Sequence, residues 1–163
     1  MRIGPRSLAV ATAVLLLAAF ATIAAVRRHA AGAAHEIVPP AGATTQLPAG
    51  EGYQTVVGDR AAIIALGLRN DRGAATVRTY ALPPRSPWLR SRQLVATQLD
   101  HWEQVGDCAD NAAARIVECA WREPTRWWPR EVRLTMMRPP PAGEDRDGWP
   151  DLTILIVGSG RAD

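Results

Sequence analysis

The chain has 163 residues, 47% of them hydrophobic, with two cysteines and a formal net charge of +3. That length holds one small domain and a short addition. The positive charge does not describe a phosphate-binding face. Arg2, Arg6, Arg27 and Arg28 flank a single apolar run, and beyond residue 30 the other fifteen arginines meet sixteen acidic residues, a net of −1. No nucleic-acid partner is expected.

The apolar run comes first. Ser7 to Val26 carries no charge, and its polar members are Ser7, Thr12 and Thr22. Twenty helical residues span about 30 Å, the thickness of a bilayer's hydrocarbon core. Residues 1–6 therefore read as an N-terminal tail and 7–26 as a transmembrane anchor, with the membrane as its partner. A cleaved signal peptide fits less well. Ala19-Phe20-Ala21 has the form of a cleavage site but lies inside the run, and Ala31-Gly32-Ala33 stands beyond two arginines. A buried core helix would need a domain able to hide every face of it. The flanking charges give only a slight bias for an inside N-terminus. All nineteen basic residues are arginine, and with abundant Ala, Gly and Pro this suggests a GC-rich bacterial coding sequence.

Residues 27–52 are rich in Ala, Pro and Gly and read as a linker, on which a domain would sit just off the membrane surface. Residues 53–163 form the expected domain. Strands are expected at Tyr53–Val57, at Arg60–Leu68 and, after a hairpin loop RNDRG at 69–73, at Ala75–Leu82. Ser86 and Pro87 then suit the start of a helix. At helical spacing Trp88, Leu94, Val95, Leu99, Trp102 and Val105 share one face, opposite Arg90, Gln93, Asp100 and Gln104, and Gly106 is placed to end it.

Three more strands follow: Arg115–Arg122, Glu131–Arg138 and Asp151–Gly158. Val117, Cys119 and Trp121 share a face, as do Val132, Leu134 and Met136. The last strand is apolar on both sides, as a central strand requires. The order β-β-β-α-β-β-β makes the fold α+β: a transmembrane helix, then a small, mostly antiparallel sheet with one helix packed on a face. Cys108 and Cys119, an even pair beyond the anchor, are expected to form a disulfide in an oxidising compartment. Spacing alone leaves buried thiols in a cytosolic domain as the alternative.

Residues that carry chemistry are few. Asp145, Asp147 and Asp151 surround Gly148 in EDRDGWPD, but Arg146 intrudes and the helices of a calcium loop are missing, so a solvated loop is the simpler reading. His101 lies beside Asp100, near Glu103 and Asp107, at the edge of a polar arc, which marks a surface histidine. Ser7, Ser86, Ser91 and Ser159 lack the nucleophile-elbow pattern. No catalytic residue, cofactor or metal is expected. One segment stands apart, WREPTRWWPRE at 121–131, where Trp121, Trp127 and Trp128 mix with Arg126 and Arg130. It is the candidate binding surface, because Trp and Arg concentrate where proteins meet partners or lipid headgroups. The competing reading is a hairpin turn whose rings fold back on the sheet.

These features favour a single-pass, extracytoplasmic, non-catalytic binding or interaction module of a bacterial cell envelope, with an envelope protein or cell-wall component as partner. The alternative is a small secreted or membrane-bound hydrolase or thiol-dependent enzyme.

Overall fold

The computed structural model describes residues 5–32, 34–68, 75–108, 114–140 and 148–161. Helix α1 spans Pro5–Gly32 and α2 spans Glu51–Leu68. Strand β1 (Thr76–Ala81) precedes helix α3 (Trp88–Thr97). Strands β2 (Glu103–Val105), β3 (Ile116–Arg122), β4 (Arg130–Met137) and β5 (Ile154–Arg161) complete the chain. The five strands form one antiparallel sheet in the order β1-β5-β4-β3-β2. The α+β class and the antiparallel sheet are those expected from the sequence.

The sheet is covered on both faces. On one side Val117, Cys119 and Trp121 of β3 meet Val132, Leu134 and Met136 of β4, under Val95 and Leu99. On the other, Ile154 and Ile156 of β5 meet Tyr53, Val57, Ile64 and Leu68 of α2. Strand β5 is buried along its whole length, because it has a strand on each edge, α2 on one face and a cluster with Ile37, Val95 and Leu99 on the other.

Two expected strands are not strands. Tyr53–Val57 and Arg60–Leu68 lie together in α2. Their buried residues, Tyr53, Val57, Ile64 and Leu68, follow one another at four, seven and four residues and form one stripe along the helix. Gly58-Asp59, read as a turn, is helix interior. A side chain at Gly58 would meet open space, so nothing there interrupts the turns. Helix α2 starts where Glu51 stands in its first turn, favourable to the helix dipole, and where Tyr53 Oη and Gln54 Nε2 both donate to the Pro48 carbonyl. The loop expected at 69–73 lies outside the described residues.

The second helix of the domain is shorter than its periodicity implied. Helix α3 stops at Thr97, and Glu103–Val105 leaves the expected arc to pair with Ala120–Arg122 as an edge strand. Ser86 is not its cap: Pro87 holds that position without a side-chain hydrogen bond, while Ser86 Oγ donates to Pro83 O at 2.6 Å. Helix α3 carries the chain from one edge of the sheet to the other.

The segment read as a linker is not a free tether over residues 34–49. Ile37 is buried in the core, and Thr44 bridges to Ala81. Gln98 clamps Val38: its Oε1 accepts from Val38 N at 2.9 Å and its Nε2 donates to Val38 O at 3.0 Å. Composition described a flexible chain, but these polar partners lie sixty residues away and are invisible to a local reading.

Candidate binding surface

The turn between β3 and β4 is closed by its own charges. Glu123 N donates to Arg130 O at 2.9 Å, and Arg130 returns two side-chain bonds to the Glu123 carboxylate, both at 3.1 Å. Partial burial alone would raise the Glu123 carboxyl. The Arg130 hydrogen bonds and charge, helped by Arg27, outweigh it and hold the group below the ordinary carboxylate range. One register step inward, Arg122 opposes Glu131. The Glu131 side chain is 3% exposed and accepts from Arg122 Nη2 at 2.8 Å and Arg133 Nε at 2.6 Å. A buried carboxylate is tolerated here because two guanidinium groups answer it.

The five candidate residues fall in different places. Trp121 is 4% exposed and belongs to the core, as its position opposite Val132 requires. Arg130 is tied to Glu123, and its guanidinium carbon lies 5.5 Å from the centre of the Trp102 ring. Trp128 is half-buried and takes a left-handed backbone, φ 52°, uncommon for a bulky residue. That conformation puts 127 and 128 in a turn rather than an extended strand, and their rings meet edge to face at 5.9 Å. Arg126 and Trp127 are exposed, Trp127 by 51%. The exposed part of the surface is therefore the tip, Arg126 and Trp127, on a base held rigid by ion pairs.

The sequence offered no sign of what the tip touches. Trp127 packs edge to face on Phe20 of α1 with ring centres 5.6 Å apart. Arg27 lies 3.7 Å from Glu123, and Arg161 at the end of β5 donates to the Arg28 carbonyl at 3.2 Å. Phe20, Ile23, Ala24 and Arg27 face Thr125 and Trp127 across a cleft of about 350 Å³. Phe20 is the chain's one phenylalanine, yet only the tertiary structure pairs it with a turn over a hundred residues away.

The remaining chemical candidates lie apart from one another. The His101 side chain is 91% exposed, 3.5 Å from Asp100. Ser159 is buried in β5, where its Oγ accepts from the His35 backbone N–H at 2.7 Å beside a cavity of about 160 Å³. The His35 ring turns instead to Trp102, 4.9 Å away. Burial lowers the His35 imidazole below its ordinary value and the Arg130 charge lowers it further, with Glu123 opposing them. Cys108 and Cys119 are joined in a disulfide with Cα atoms 4.6 Å apart, so neither offers a free thiol. Among the described residues, no group of three or more His, Cys, Asp or Glu is placed to hold a metal ion. The aspartates at 145 and 147 lie outside the described residues.

Comparison with protein-family models, with curated proteins and with solved structures gives no match.

Proposed function

We propose that this chain is a single-pass membrane protein of a bacterial cell envelope, with α1 as its anchor. Its α+β domain is a non-catalytic module outside the cytoplasm that presents a binding surface to an envelope protein or cell-wall component. The observation that carries the reading is α1 itself. Ala9–His29 is long and apolar enough to cross a membrane, and none of that window is buried in the structure. A soluble protein would leave this surface in water, at a cost that grows with every exposed leucine and valine. The disulfide supports an oxidising compartment for the domain. The enzymatic alternative is less supported: the thiols are consumed, and Ser159 and His101 do not converge.

The test is protease treatment of intact cells, followed by capture of partners from detergent-solubilised membranes. Digestion of the domain in intact cells, with α1 left in the membrane, is expected. A domain digested only after lysis would overturn the topology. A captured partner lost on Trp127→Ala would assign the surface.

A further inference from the structure

Contacts between α1 and the domain set a depth. Arg27 and Arg28 mark the end of the apolar run, and Arg27 meets Glu123 there. Phe20 lies seven residues before Arg27, about 10 Å along the helix axis. Trp127 touches Phe20. If α1 crosses a bilayer, as the proposed function holds, an aromatic ring packed on Phe20 lies about 10 Å beneath those arginines, among the upper acyl chains. Tryptophan's apolar ring suits that depth, and the belt where its polar N–H is favoured lies just above it.

The cleft beside this contact has the same polarity. Phe20, Ile23 and Ala24 form one wall and are continuous with the apolar surface of α1. Trp127 and Thr125 form the other, and Arg27 stands at the outer end. From the inside outward the lining runs from hydrocarbon to cation, the order in which a phospholipid runs from acyl chain to phosphate. Arg126, exposed at the tip, has a stem long enough to carry its charge back to the headgroups.

We infer that the cleft between α1 and the β3–β4 turn seats an acyl chain of a membrane phospholipid, with the phosphate at the level of Arg27. The turn is then a second membrane contact. The domain stands against the bilayer surface in one orientation instead of swinging on a tether.

The test uses the full chain in phosphatidylcholine vesicles whose acyl chains are brominated near the headgroup, with tryptophan emission as the readout. The wild type is expected to be quenched relative to unbrominated vesicles, and Trp127→Phe to lose the larger part of that quenching. Trp127 is half exposed, so this variant is expected to fold, and retention of the disulfide and of the circular dichroism checks that it does. Equal quenching of wild type and variant overturns the inference. Cross-linking of two chains through position 127 also overturns it, assigning the cleft to a second copy. Extraction by alkaline carbonate separates the two readings. A chain stripped from vesicles defeats the membrane anchor and the lipid cleft together, whereas a chain that stays embedded without Trp127-dependent quenching defeats the cleft alone.

Discussion

Gly158 of β5 lies directly beneath Ile64 of α2, so close that a β-carbon on the glycine would overlap the Ile64 γ2 methyl and stand 2.8 Å from Leu68 Cδ1. The backbone of this interior strand is thus a groove into which the helix settles. Gly160 repeats the pattern, with a β-carbon there 3.2 Å from Leu68 Cβ.

This contact predicts opposite outcomes for two glycine substitutions. Gly158→Ala forces α2 off the sheet and is expected to destabilise the protein by about 1–3 kcal/mol, the cost of overpacking a core. Gly58→Ala meets open space in the interior of α2 and is expected to stabilise it by about 0.5–1 kcal/mol through helix propensity. Thermal melts of the full chain in detergent measure both. A neutral Gly158→Ala would show that α2 does not rest on β5.

The tryptophans divide in the same assay. Trp121→Ala empties a core position and is expected to cost about 3–5 kcal/mol. Trp127→Ala loses an aromatic contact with Phe20 and one with Trp128, and is expected to cost less, about 1–3 kcal/mol. Equal losses would mean that the tip, too, is part of the core.

The disulfide ties the connection after β2 to β3. In the loop-entropy model a closure of this size contributes about 3 kcal/mol. Reductant is expected to lower the melting temperature of the wild type and to leave a Cys108→Ser, Cys119→Ser double variant unaffected. Intact mass of the non-reduced chain, short by the two thiol hydrogens, checks the bond itself. Two alkylated thiols in protein taken from intact membranes would contradict it.

His35 makes stability depend on pH. Its folded-state pKa lies below its ordinary value of 6.5, so the unfolded chain binds the proton more readily. Above that ordinary value both states are neutral and nothing is lost. As pH falls through it the unfolded state is protonated first, and stability declines until the folded state takes up the proton as well. His35→Asn is expected to flatten the part of the decline that begins near pH 6.5. Melting curves of the two proteins between neutral pH and mildly acidic pH provide the comparison. Parallel curves would remove His35 as the cause.

Much of the sheet was legible in the sequence. Alternation assigned the inward faces of β3 and β4, and the doubly apolar β5 announced a strand inside the sheet, where it lies second from the edge. An even cysteine pair at close spacing pointed to the bond that the structure contains. An apolar run bounded by arginines defined α1 by length and composition alone. These are local properties, readable wherever side-chain period matches backbone period.

Other features depended on partners remote in sequence. An apolar stretch with Gly58-Asp59 inside it reads locally as two short strands in preference to a helix. The glycine groove of β5 selects the helix for residues 51–68, because it offers a seat to a stripe spaced at four and seven residues. The end of α3 at Thr97 was decided by Ala120–Arg122, which offers backbone pairing to Glu103–Val105. Residues 34–49, flexible by composition, are held by Gln98 and Ala81. The tip at Arg126 and Trp127 takes its meaning from Phe20, more than a hundred residues away. Secondary-structure period is a property of a segment, whereas these choices are free-energy differences between a segment and its partner, and they exist only once the chain has folded.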